Sequence, residues 1–278
     1  MQVDAVVDAA AAVRRAAGFL SSNPVELNVI WSVMRQGADS GVEGRYWLLE
    51  ADGDVAGLVI ESPAGHYAAI SPVGRQYADK MASAILEEGH HLLGVVGEAG
   101  AAAGFAGCWS EGVNKAAVVE DAQRLYVLGD LTRTEGVAGM LRRAEHDERD
   151  LIIEWWSAFQ VETGLPERDV SAAVDFGLST GRLFFWDDGG PRCVARATQP
   201  LGGVSRIGAV FTPPRWRRRG YAAACVGALC HWVRLEEDAK SILYAQLANP
   251  SSNAIYRRLG FRAVSELLTY RFDLAGGS

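Results

Sequence analysis

One stretch constrains this chain more than any other: Val210-Phe211-Thr212-Pro213-Pro214-Arg215-Trp216-Arg217-Arg218-Arg219-Gly220-Tyr221-Ala222. It reads as the end of a strand, a short basic turn and the start of a small-residue helix. The first turn of a helix has N–H groups without intrahelical partners, and the helix dipole makes that end partly positive. A phosphate or pyrophosphate is stabilised there. Gly220 lets backbone approach a bulky anion because it has no Cβ. The arginines add charge that does not titrate away. A solvated surface turn is the other use of such a cluster, and the flanking segments decide between the two.

Those flanks are ordered. Leu183 to Trp186 reads as a strand ending in the turn Asp187-Asp188-Gly189-Gly190, and Cys193 to Ala197 as its hairpin partner. After Pro200-Leu201-Gly202-Gly203, residues Ser205 to Phe211 form a third strand that feeds the basic turn. Downstream, Ala222, Cys225, Val226, Leu229 and Val233 make the stripe of a helix packed on a sheet. A further strand over 242–247 leads to Asn249-Pro250, suited to an N-cap and first helical position, and then to Tyr256, Leu259, Gly260 and Phe261. Gly260 suits a left-handed helix stop.

The spacing Arg217-x-x-Gly220-x-Ala222 resembles the acyl-CoA binding turn of the GNAT superfamily, which is Gln/Arg-x-x-Gly-x-Gly/Ala after a central strand. Asn249, Tyr256 and Leu259-Gly260-Phe261 fall on the family's late strand–helix motif. The resemblance is sharp over residues 205–265 and looser from about 139. It implies an N-acetyltransferase moving an acetyl group from acetyl-CoA to an amine by direct attack. In the family the backbone of the strand before the turn pairs with pantetheine and the thioester carbonyl, here Val210, Phe211 and Thr212. The turn, here Arg217, Arg218, Arg219, Gly220, Tyr221 and Ala222, grips the pyrophosphate, and Asn249 joins the cofactor-binding set. Tyr256 falls where the family keeps a general acid for the departing thiolate. Asn249 also has a purely structural use as the N-cap, and Tyr256 as a core aromatic.

The first half repeats the order of the second: helices, three strands, helix, strand, helix, hairpin. Its elements read as helices over 5–20 and 24–36, strands over 45–50, 55–61 and 67–71, a helix over 75–88, a strand over 92–96, helix or loop over 97–113, and a hairpin of 116–119 with 124–128. The expected fold class is therefore α/β (α+β), with two tandem GNAT-like domains, each a mixed, mostly antiparallel twisted sheet flanked by helices. The expected division is 1–133 and 134–278. The first copy has Pro72-Val73-Gly74-Arg75-Gln76-Tyr77-Ala78 where the basic turn would be, and its late helix lacks Leu-Gly-Phe. It is expected to bind no acyl-CoA and to be structural or to form a wall of the acceptor cleft.

Composition excludes several classes. With 278 residues, 49% hydrophobic and 22% charged, the chain is ordinary globular material. A formal net charge of −7 argues against bulk nucleic-acid binding. The N-terminal Ala-rich run is broken by Asp8 and Arg14-Arg15, so neither a signal peptide nor a membrane span is expected. Cys108, Cys193, Cys225 and Cys230 make no Cys-x-x-Cys pair and fit free thiols in a reducing cytoplasm. His90-His91 lacks ligand spacing, so no metal is expected. Glu154, Glu162, Asp187 and Glu266 are unranked candidates for a general base, because the strand Ser205 to Val210 carries no carboxylate. Trp155, Trp156 and Phe159 read either as core or as the lining of an apolar or cationic acceptor site. The rival reading is a non-catalytic acyl-CoA-binding sensor or scaffold, which would keep Arg217–Ala222 without turnover.

Overall fold

The structure is a computed structural model that describes residues 1–164 and 169–273. The last residues of the second expected domain, 274–278, lie outside the described residues. In chain order the elements are β1 (Gln2–Val6), α1 (Ala9–Arg15), α2 (Ala17–Ser22), α3 (Asn28–Ser40), β2 (Arg45–Ala51), β3 (Asp54–Glu61), β4 (Ala68–Ile70), α4 (Arg75–Glu87), β5 (Gly94–Glu98), α5 (Ala99–Val113) and β6 (Ala117–Leu128). Then follow β7 (Met140–Arg143), α6 (Arg149–Thr163), α7 (Ser171–Ser179), β8 (Leu183–Asp187), β9 (Pro191–Ala197), β10 (Val204–Phe211), α8 (Tyr221–Glu237), β11 (Lys240–Gln246), α9 (Pro250–Arg258) and β12 (Phe261–Phe272).

The chain divides into two compact units. The first comprises Met1–Leu125, Ala245–Ala248 and the chain from Val264 on; the second comprises Tyr126–Tyr244 and Asn249–Ala263. In the first unit β1, β2, β3 and β4 pair antiparallel in that order, β4 runs parallel to β5, and β5 pairs antiparallel with Leu267–Arg271 of β12. In the second unit β7, β8, β9 and β10 pair antiparallel in that order, and β10 runs parallel to β11. Each unit is thus a mixed, mostly antiparallel sheet with one parallel pair beside the helix that follows its first member.

Three local readings of the first half change. The Ala-rich segment is not one helix: Gln2–Val6 is a strand paired with Tyr46–Glu50, and the helix begins only after Asp8. The Asp8 carboxylate accepts from Ala10 N–H and Ala11 N–H, which satisfies two donors of the first turn. The expected hairpin of 116–128 is the single strand β6. Its polar middle looks like a turn, yet Tyr67 donates to Glu120, Gln246 to Asp121, and Leu247 N–H to the carbonyl of Ala122, so extended backbone is satisfied by tertiary partners. The second expected helix begins at Asn28 rather than Pro24.

The cores follow from amphipathic patterning. In the first unit Trp47, Val59, Met81, Ile85, Phe105 and Trp109 fill one side of the sheet, and Leu20, Met34, Tyr46, Leu48, Leu58 and Ile60 the other. In the second, Ile152, Trp155, Val174 and Leu178 of α6 and α7 pack on Leu183, Phe185, Val194 and Phe211. Trp155 is therefore core, edge-on to Phe185. Of the α8 stripe, Cys225, Val226, Leu229 and Val233 are buried, and Ala222 at its start is half-buried.

Candidate active site in the second unit

The site is built where β10 hands over to α8. β10 pairs in parallel with β11 over Val204–Ile207 and continues to Phe211 beyond that register. Its antiparallel register with β9 shifts between Gly208 and Phe211, and Ala209 sits at φ +49°. A bulge of this kind bends the strand and takes backbone groups out of the ladder. Ala209 and Val210 thereby fall outside the register with β9, between the paired Gly208 and Phe211. The bulge was readable in part, since Gly208 in a strand interior is its usual mark.

Each residue singled out in the turn has a defined place. Val210 is half-buried and Phe211 buried at the strand end, and Thr212 follows with its Oγ1 buried and without a hydrogen-bond partner. A single 3₁₀ turn, Pro214–Trp216, carries the chain round. Arg218 is left-handed at φ +61° and Gly220 at φ +85°. Gly220 is the N-cap of α8, with no side chain to take the N–H groups of Tyr221 and Ala222 at the helix start. A Cβ at Gly220 would stand 2.8 Å from Val137 Cγ2, so space as well as φ selects glycine.

The arginines divide by partner. Arg217 donates through Nε to the carbonyl of Thr212 and through its Nη2 to both oxygens of Glu162, at 2.7 and 2.5 Å. Arg219 and Arg215 lie 5.1 and 5.8 Å from the ring centre of Trp216, with Arg192 closer at 4.0 Å. The Tyr221 hydroxyl donates to Asp188 at 2.6 Å, and that carboxylate holds the phenol pKa above its ordinary value. Tyr221 thus offers a ligand its N–H, while its side chain anchors the turn to the β8–β9 loop.

Both partners of the Arg217–Glu162 pair are about two-fifths exposed, and such a pair is worth about 1 kcal/mol at most. A ligand anion can compete for the guanidinium. Under the expectation that this turn holds acyl-CoA, Glu162→Gln should tighten acetyl-CoA binding by about two- to fivefold. Calorimetric titration of the variant checks this, and weaker binding would mean that Glu162 positions Arg217 rather than competing for it.

The late motif forms as its punctuation implied. Asn249 caps α9, its Oδ1 accepting from Ser252 N–H, and its carbonyl accepts from the Asn253 side chain. Its side chain performs the cap. Gly260 stops the helix at φ +100°, where a Cβ would meet the Asp130 carbonyl. Tyr256 is buried between Tyr126 and Phe261, and burial pushes its pKa well up. Of the four carboxylates considered as bases, Glu162 is paired with Arg217, Asp187 with Arg142, and Glu266 with Arg124, while Glu154 is exposed.

Cys193, Cys225 and Cys230 are buried. The neighbouring Cys193, then burial, raise the Cys225 pKa, and burial pushes Cys230 up to about 12. Below the unfolded thiol pKa of about 8.5 both states are protonated. Above it the unfolded chain ionises while the folded one does not, so stability falls as pH rises, for Cys230 up to about 12. Each thiol contributes a slope of about 1.4 kcal/mol per pH unit in that window. Urea denaturation from about pH 7.5 to about pH 10 should show it. A Cys225→Ala/Cys230→Ala variant should flatten the slope, and an unchanged slope would refute the assignment.

Among the described residues no group of His, Cys, Asp or Glu side chains is arranged to hold a metal ion, and no helix is long and apolar enough to cross a membrane.

With this geometry in view, the likenesses are consistent. The fold of the whole chain is that of an acetyltransferase from the GNAT family of Colwellia psychrerythraea, with a TM-score of 0.62 at 10% identity over 98% of this chain and 100% of that one. A GCN5-related N-acetyltransferase from Sphaerobacter thermophilus gives 0.63 at 15%, covering 97% and 95%. A tandem GNAT protein from the clavulanic acid biosynthesis pathway gives 0.60 at 13%, covering 100% of both chains. The chain shares its fold with these proteins. Within it, residues 193–271 match the model of the FR47-like protein family, a span that runs from within β9 through the basic turn and the α9 motif. No curated protein matches the chain.

Proposed function

We propose that the second unit binds acetyl-CoA at the β10–α8 turn and moves the acetyl group to an amine by direct attack. The observation that carries this reading is Gly220: a left-handed N-cap, with no side chain to satisfy the helix start, after a strand whose pairing is interrupted at Ala209–Val210 by a bulge. These features suit a pyrophosphate on the helix N-terminus and an extended pantetheine arm along Val210–Thr212. Arg217, Arg218 and Arg219 supply charge around the turn, and the buried, unpartnered Thr212 Oγ1 is a further polar group at the strand end. Asn249 acts through the cap that sets the start of α9.

The chemistry asks little else of the chain. The thioester carbonyl carbon takes the lone pair of the neutral amine, the C–S bond breaks, the attacking nitrogen releases a proton to solvent, and the thiolate takes a proton. A backbone N–H at the bulge can stabilise the oxyanion that develops. Tyr256 is the donor to the leaving sulfur. Because burial raises its pKa, it acts by donating a hydrogen bond and passes the proton as the sulfur gains charge. With Cys225 and Cys230 buried and protonated, a covalent acyl-cysteine route has no support.

The first unit is read as ligand-free. Gly74 caps α4 in an extended conformation, φ −62°, rather than left-handed. All three residues of β4 pair with β5, and a Cβ at Gly97 would lie 2.7 Å from the Ile70 carbonyl. The parallel pair is closed where an acyl-CoA arm would enter. Its role is structural.

Calorimetric titration with acetyl-CoA, with dephospho-CoA as comparison, tests the assignment. One site per chain is expected, two would overturn the reading of the first unit, and none at millimolar ligand would overturn the reading of the turn. The engagement of Glu162, Asp187 and Glu266 with arginines favours one rival, an acyl-CoA sensor without turnover. Thiol release with an amine panel separates the two, since binding without release selects the sensor. As a cytoplasmic enzyme the protein would meet acetyl-CoA directly.

A further inference from the structure

On the α6–α7 face of the second unit, one arginine is in an unusual position. Arg196 of β9 stands opposite Gly208 of β10, the residue before the bulge, and opposite Leu183 of β8. Paired residues share a face, and Leu183 packs with Ile152, Trp155 and Val174, so Arg196 points toward α6 and α7. Its guanidinium lies 5.7 Å from the ring centre of Trp156, and its Nε is buried with no hydrogen-bond partner. Arg206, two residues before Gly208 on the same face, adds a second positive charge.

A buried guanidinium is normally paired with a carboxylate, because taking a charge out of water costs several kcal/mol. Arg196 forms no ion pair among the described residues, and its electrostatic neighbour is another arginine. Burial, then Arg206, lowers its pKa to about 10, which still leaves it charged at neutral pH. The cation therefore sits half-buried, its Nε covered and no acid beside it among the described residues, one strand from the bulge where the thioester would lie.

Resting on the proposed function above, we propose that the amine acceptor carries a carboxylate or comparable oxyanion, and that Arg196 is the specificity residue that binds it. Residues along a strand rise about 3.3 Å each, so Arg196, opposite Gly208, stands about 7 Å along β10 from Val210. That reach suits a small molecule in which amine and carboxylate are separated by a few bonds, such as a free amino acid. The Trp156 ring becomes one wall of an anion site rather than a cage for a cationic acceptor. A guanidinium fork matches a planar carboxylate bidentately, which an amine without the acid cannot exploit.

The test compares matched acceptors: 4-aminobutyrate and β-alanine against butylamine and propylamine, with acetyl-CoA as donor and thiol release as readout. The aminocarboxylates should exceed their uncharged counterparts at least about tenfold in kcat/KM. Arg196→Gln should remove most of that preference through KM while leaving the KM for acetyl-CoA unchanged, and Arg196→Lys should restore part of it. Equal use of both acceptor types, or a preference that survives Arg196→Gln, would overturn the proposal. Calorimetric binding of the same four compounds to the protein loaded with CoA gives an answer without turnover. Aminocarboxylates binding no more tightly than the amines would again overturn it, whereas selective binding without thiol release would count against acyl transfer alone. The wild-type comparison stands even if a variant fails to fold.

Discussion

Gly220→Glu is expected to reduce acetyl-CoA affinity by at least about a hundredfold. Three effects add. A side chain at φ +85° occupies a conformation that glycine alone adopts freely. The new Cβ must displace Val137, whose Cγ2 would be 2.8 Å away. The carboxylate then stands where the pyrophosphate charge would lie, cancelling the positive end of α8. The backbone strain costs about 1–2 kcal/mol of stability, so the variant should remain folded at 25 °C with a lowered Tm. Gly220→Ala separates the causes, since it meets the same strain and the same valine without the charge. Binding by Gly220→Glu within threefold of the parent would remove the turn from the site.

Tyr256→Phe is expected to lower kcat by about ten- to a hundredfold while the KM for acetyl-CoA changes less than twofold. The hydroxyl is deleted and the ring retained, so the contacts with Tyr126 and Phe261 persist and the buried packing changes little. Since burial raises its pKa, Tyr256 stays protonated throughout the neutral range. No fall in rate near neutral pH should come from its ionisation. Steady-state thiol release across pH, on a good acceptor, measures both effects. An unchanged kcat would leave Tyr256 as a core aromatic.

Much of this site was legible because its chemistry is local. The basic turn needs a strand, a glycine and a helix start within thirteen consecutive residues, and Val210 to Ala222 carry all three. The α9 motif is equally local: Asn249, Pro250 and Gly260 each encode one backbone geometry, and each is found in it. Helix stripes such as that of α8 report burial directly, because the period of the pattern is the period of the helix.

What the sequence did not show depends on partners far along the chain. Gln2–Val6 becomes a strand because Tyr46–Glu50 offers it an edge, against the helical preference of the alanines that follow. The middle of β6 stays extended because Tyr67, Gln246 and Leu247 satisfy it. The C-terminal strand joins β5 of the first unit, since an edge is filled by whichever segment reaches it, not by its neighbour in sequence.

By itself, then, the sequence determined the strands and helices between Leu183 and Phe261, the turn at Arg217–Ala222 and the α9 cap and stop, whose patterns are local. Only the tertiary structure decided that Arg217 faces Glu162, that Tyr221 is tied to Asp188, and that Arg196 stands charged beside Trp156 with no acid to meet it among the described residues. Side-chain partnership across strands depends on register and bulges, and a single residue's slip at Gly208–Phe211 reverses which face a charge takes.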